Sequence, residues 1–167
     1  QQATRLARWI EPSRAPTPLS LPLTPMIDEK PREAHASVDE TAVVARLLAK
    51  RRGQGHVMLD VGAHHGGSAQ YFNKLGWTIH CFEPDPANRA RLNERYANAA
   101  NITIDSRAVS DKTANGVSFF SSPESTGISG LHAFHTTHHE SARVDVTTVT
   151  HIIEERRIAR VDFLKID

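Results

Sequence analysis

Apolar and polar positions alternate in blocks through the middle of the chain. Val57-Met58-Leu59 is a short apolar run closed by Asp60; a glycine turn follows, and Ser68 to Leu75 has a helical pattern. Thr78 to Phe82 is a second apolar run, closed by Glu83. Short apolar runs bounded by turn residues read as buried strands, so this stretch predicts a strand (56–61), a tight loop, a helix ended by Gly76 and a parallel strand. Further on, the pattern predicts a helix from Pro86 through Asn98, with Leu92 and Tyr96 spaced for packing, and a strand over 102–106. Val117–Phe120 and Val144–Val149 then read as an antiparallel pair joined by a long polar loop, followed by a helix over 151–157 and a last strand over 161–166.

Upstream, Ser37-Val-Asp-Glu40 reads as a capping box opening a helix to about Arg52, with Val43, Leu47, Val44 and Leu48 on one face and Gly53 as its stop. Residues 1–36 hold six of the nine prolines, a spacing that blocks helix and sheet and predicts an extended arm or linker. The expected organisation is this arm followed by one α/β domain over 37–167, Rossmann-like and doubly wound around a mostly parallel sheet.

In that architecture ligands bind at the carboxyl ends of the strands, where Asp60 and Glu83 both fall. An acid about 20 residues beyond a glycine loop can accept from both hydroxyls of a ribose, which points to an adenosine-like cofactor. The loop reads Gly62-Ala63-His64-His65-Gly66-Gly67, so His64 stands where a dinucleotide fingerprint has its second glycine and would crowd a pyrophosphate. No G-K-[ST] sequence is present to cradle a triphosphate. S-adenosylmethionine has the ribose without the phosphates, and Asp60 with the loop amides suits its amino acid tail.

Asp60-Val61-Gly62-Ala63-His64-His65-Gly66 resembles the D-V-G-A-N-x-G motif of the FkbM-type methyltransferases. Phe82-Glu83-Pro84 is similar to the family's F-E-P, Ala108-Val109-Ser110-Asp111 to its A-V-S-D, and Phe163-Leu164-Lys165-Ile166-Asp167 to its F-L-K-I-D. Coverage runs from about residue 56 to the last, with the four motifs in order. The resemblance implies a class I, S-adenosylmethionine-dependent O-methyltransferase acting on a small-molecule hydroxyl, such as a sugar or secondary metabolite. It implies cofactor contacts from Asp60, Gly62, Ala63, His64, Gly66, Glu83 and Pro84, with Ser106 and Ala108 as walls of the adenine pocket. His64 replaces the family's asparagine, and Thr150 stands where the family has the aspartate of T-L-D. The family sheet has seven strands in the order 3-2-1-4-5-7-6, of which this chain supplies the first four. In the family V-E-G follows F-L-K-I-D, so the chain is expected to be a piece of a longer enzyme, its sheet incomplete at the carboxyl-terminal end.

Methyl transfer needs alignment and help with the acceptor's proton. Asp167, ending the strand beside the first, is the leading candidate to orient the acceptor, as base, hydrogen-bond acceptor or metal ligand. His65, or His64, is a second candidate base, since imidazole titrates near neutrality. His132, His135, His138, His139 and Glu140 crowd one segment, but without an H-E-x-x-H pattern it reads as a substrate loop or lid rather than a metal site. A nicotinamide-dependent oxidoreductase and a non-catalytic, methyltransferase-like binding module are the competing readings.

Composition narrows the partners. With 20 basic and 19 acidic residues, the net charge of +1 gives no field to recruit nucleic acid or an anionic membrane. No apolar run reaches the roughly 18 residues of a membrane span. The single cysteine, Cys81, lies inside an apolar strand, which excludes a disulfide framework and favours a reducing, cytoplasmic compartment.

Overall fold

The computed structural model describes residues 39–124, 127 and 129–167. The proline-rich arm and Ser37 therefore lie outside the described residues, which all belong to the unit Val38–Asp167. The first helix, α1 (Glu40–Leu47), is capped by Asp39, whose carboxylate accepts from the Ala42 N–H at 2.9 Å. The cap is thus two residues later than the capping box predicts, and the helix stops five residues short of Arg52. Val44 and Leu48 pack on the core, whereas Val43 and Leu47 are exposed, so only half of the expected face is used.

Four parallel strands form the main sheet: β1 (Val57–Val61), β2 (Thr78–Phe82), β3 (Ile102–Asp105) and β7 (Phe163–Ile166), in the order β3-β2-β1-β7. Successive side chains of a strand point to opposite faces, and both faces are covered here. Met58, Ile79 and Cys81 pack against Phe72 of α2 (Ala69–Lys74) and Leu92 of α3 (Pro86–Arg95). Leu59, Val61 and Phe82 pack against Ile152 of α4 (Val149–Glu155) on the other side. Helices on both faces of a parallel sheet make the fold Rossmann-like and doubly wound, as expected. Trp77, Phe72, Phe82 and Met58 are fully buried, and each such side chain stabilises the fold by about 1.5–3 kcal/mol.

A second sheet, β4-β6-β5, follows the third strand: β4 (Ala108–Val109), β5 (Ala114–Ser121) and β6 (His139–Thr147). The expected antiparallel pair is present as β5 and β6, but both strands are longer than the apolar pattern indicates, because their outer residues alternate with solvent. Ala108–Val109, to which the sequence pattern assigns no element, form β4, parallel to β6. β6 ends before Val149 because the Thr148 side chain accepts from the His151 N–H at 3.0 Å and starts α4 there.

Candidate functional site

The carboxyl ends of β1, β2 and β7 meet where the glycine loop leaves the sheet. Gly62 and Ala63 donate their N–H groups to the Phe82 carbonyl at 3.0 and 3.1 Å, which turns the chain across the top of β2. Gly62 has φ +72°, and a side chain there would press on Asp167 at 3.3 Å. Gly66 (φ +75°) is more constrained still: a Cβ would lie 2.4 Å from Tyr96 and 2.7 Å from Leu92. The Tyr96 hydroxyl donates to the Gly66 carbonyl at 2.6 Å and ties the loop to α3.

His64 adopts a left-handed conformation, φ +50°. Asparagine and histidine are both among the residues that tolerate this region, which accounts for histidine serving where the resembling motif carries asparagine. Its N–H donates to Glu83 Oε2 at 2.6 Å, and the other carboxylate oxygen accepts from the Asp85 N–H at 2.9 Å. Glu83 is only 4% exposed, and burial pushes its pKa up, against the pull of these two N–H bonds. Each carboxylate oxygen has a further lone pair, so the group can still accept from a ligand. The loop is therefore fastened to the very side chain that faces the cavity.

That cavity measures about 440 Å³ and lies between the strand ends and the second sheet. Five of the nine predicted cofactor residues line it: Gly62, His64, Glu83, Pro84 and Ala108. Asp167 lines it as well. Among the described residues the lining includes two carboxylates, Glu83 and Asp167, and no lysine or arginine. The wall opposite the sheet comes from Phe119 of β5 and from Ser129, Gly130 and Leu131, held to β5 by paired backbone bonds between Gly130 and Phe120 at 2.8 and 2.9 Å. The Ser129 hydroxyl is buried there, without a hydrogen-bond partner among the described residues.

The remaining predicted residues stand outside the lining. Ala63 and Gly66 shape the loop from within, and Ser106 is exposed beyond the end of β3. Asp60 is fully buried, and Lys165 Nζ lies 3.4 Å from its Oδ1. Burial pushes the Asp60 pKa up, and the neighbouring ammonium opposes that shift. His65 stacks on His64 with centroids 3.7 Å apart and donates from Nε2 to Asn88 Oδ1 at 3.1 Å, so its ring is engaged behind the cavity wall. Burial, followed by the neighbouring His65, lowers the pKa of His64.

Asn88, Val109, Phe119, Ser129 and Leu131 line the cavity without being predicted as site residues. Val109 carried a signal in the A-V-S-D resemblance, and Asn88 as a polar residue in the first turn of a helix whose start Pro86 marks. The His-rich segment is not helical: His139 begins β6, and His135 Nδ1 sits 2.8 Å from the Thr137 hydroxyl. Among the described residues no three His, Cys, Asp or Glu side chains are grouped to hold a metal ion.

The family model of the methyltransferase FkbM domain matches residues 60–167. Among curated proteins none matches by sequence. Solved structures resembling the chain include a protein assigned as a sarcosine dimethylglycine methyltransferase from Galdieria sulphuraria, 30% identical over 40% of this chain and 26% of the other, with TM-score 0.34. The glycopeptide N-methyltransferase MtfA, complexed with sinefungin, is 25% identical over 50% of this chain and 37% of its own (TM-score 0.33). A 1,6-didemethyltoxoflavin-N1-methyltransferase from Burkholderia thailandensis is 20% identical over 47% and 33% (TM-score 0.34). The chain spans 26–37% of the length of these three proteins.

Proposed function

The chain belongs to the methyltransferase FkbM domain family, and from that premise we propose that it binds S-adenosylmethionine in the 440 Å³ cavity and methylates the hydroxyl of a small molecule. The observation that carries this reading is the charge of the lining: Glu83 and Asp167, with no lysine or arginine among the described residues there. Such a lining attracts a cation and repels a diphosphate, so the dinucleotide alternative is disfavoured. The volume falls within the range of small-molecule sites.

Glu83 would hold the ribose hydroxyls, using lone pairs that its two backbone N–H bonds leave open. Pro84, Ala108 and Phe119 supply apolar surface for a base, and Ser129 Oγ supplies a hydroxyl without a partner among the described residues. When bound, S-adenosylmethionine brings a methyl group already activated by the sulfonium, so alignment matters more than activation. Asp167, an exposed carboxylate in the cavity lining, would orient the acceptor hydroxyl and accept its proton. His65 is less suited to that step, because its ring is held by Asn88.

Among the described residues no helix is long and apolar enough to cross a membrane. A cytoplasmic location belongs to the proposal and is in keeping with the buried, unpaired Cys81. The test is calorimetry on the full chain with S-adenosylhomocysteine and with NAD. One-to-one binding of the nucleoside without measurable NAD binding is expected; the reverse order of affinities would overturn the reading.

A further inference from the structure

Three charged groups meet at the ends of β1 and β7. Asp60 and Lys165 are register partners across the two strands, and Asp167 follows two residues after Lys165, just past the end of β7. The Lys165 ammonium lies 2.5 Å from Asp167 Oδ2 and 3.4 Å from Asp60 Oδ1. Asp60 is fully buried, and Lys165 is the cation beside it among the described residues, whereas the Asp167 side chain is 66% exposed and lines the cavity. One ammonium thus serves two carboxylates, of which Asp167 lines the cavity and Asp60 does not.

Taking the proposed S-adenosylmethionine site as given, we propose that Lys165 is a positioning residue that sets how much of Asp167's charge faces the cavity. Buried Asp60 draws the ammonium inward, away from Asp167. With Asp60 present, Asp167 presents more negative charge to the cavity; without it, Lys165 neutralises Asp167 more fully. The sulfonium donor and its demethylated product, S-adenosylhomocysteine, differ by one positive charge. The three residues therefore adjust the preference for donor over product, and Asp60 acts on the ligand only through Lys165.

The test is the ratio of Kd for S-adenosylhomocysteine to Kd for S-adenosylmethionine, measured calorimetrically on the full chain. A defect that merely loosens the fold weakens both ligands together and leaves this ratio in place. Lys165→Met is expected to raise the ratio by about fivefold, and Asp60→Asn to lower it by about threefold, as a partial charge displaced within several ångströms of a cation would do. The double variant Asp60→Asn/Lys165→Met is expected to match Lys165→Met within about twofold, because Asp60 has no route to the ligand without the ammonium. Should Lys165→Met alone fail to fold with Asp60 left uncompensated, the double variant, which removes both charges, still has to exceed the wild-type ratio.

A fall in the ratio on Asp60→Asn that is as large in the Lys165→Met background would show direct contact and overturn the proposal. A wild-type chain that binds neither ligand would overturn the functional reading alone. The Lys165 arrangement is then decided without ligand, by the 15N shift of its ammonium. That shift is expected to move on Asp60→Asn and separately on Asp167→Asn, and a response to only one of the two acids overturns the shared pairing.

Discussion

Replacing Glu83 by alanine separates what the carboxylate does for the loop from what it does for a ligand. In the free protein its two oxygens accept from the His64 and Asp85 N–H groups at 2.6 and 2.9 Å. Hydrogen bonds to a charged group contribute about 1.5–3 kcal/mol each, and burying an unsatisfied N–H costs about 1–3 kcal/mol. Asp85 N–H lies in a buried setting, but the His64 N–H borders the cavity, where water can replace the lost acceptor. The stability cost of Glu83→Ala is therefore about 2–3 kcal/mol, rather than the sum of two full bonds.

Binding should fall further. If the carboxylate also accepts from a ribose diol, S-adenosylhomocysteine should bind on the order of 10–100-fold more weakly to Glu83→Ala, as judged by calorimetry. The 2′-deoxy analogue identifies the cause. In the wild-type chain the missing hydroxyl should weaken binding by about tenfold, and in Glu83→Ala by less than about twofold, because the partner is already gone. Equal penalties in the two backgrounds would show that Glu83 does not touch the diol, and the reading of β2's terminal acid would fail.

The other predictions concern the framework. Gly66→Ala should destabilise by about 2–4 kcal/mol in a urea titration, since it combines a left-handed φ with a Cβ 2.4 Å from Tyr96; a loss under about 0.5 kcal/mol would contradict the loop geometry. His80 is held neutral, its pKa lowered to about 4 by burial and then by Arg156, whose guanidinium lies 2.8 Å from Nδ1. A lowered histidine pKa means that the unfolded chain takes up the proton first. Stability is then full above the ordinary value of 6.5 and declines as pH falls through 6.5 towards 4. The decline should reach about 1–2 kcal/mol, discounted for the ring's partial access to water, and should be absent in His80→Gln. Cys81, buried with its pKa pushed up by burial and then by Asp60, should resist alkylation at pH 8 until denaturant is added; prompt labelling of the native chain would refute its placement.

The sheet was legible because its strands are short apolar runs between strong turn signals. Gly76 ends α2 where expected, with φ +76°, and Pro86 opens α3 after an Asp85 cap that accepts from Ala87 and Asn88. The second sheet was legible only in outline. Its strands are half exposed, so the apolar pattern marks their middles and misses their ends, and β4 has just two residues with which to announce itself. The cavity wall formed by Phe119, Ser129 and Leu131 depends on the Gly130–Phe120 pairing, a contact across ten residues that no local periodicity encodes.

Asp60, Glu83 and Asp167 share one signature in the sequence, an acid at the carboxyl end of a parallel strand, yet the structure gives them three different surroundings. Strand alternation separates the first from the ligand. Asp60 shares its face with Met58, whose neighbours are the helices α2 and α3, so its carboxylate enters the protein interior and meets Lys165. Glu83 and Asp167 each lie one residue past the end of their strand, where the pleat no longer dictates direction and the backbone can turn them towards the cavity. Asp60 is followed by another strand residue, Val61, and has no such freedom. At this sheet edge, then, an acid inside the last strand pair serves the framework, and an acid just beyond it faces the cavity. The same parity places Lys165 opposite Asp60 and only two residues from Asp167, which is why one lysine can reach both acids.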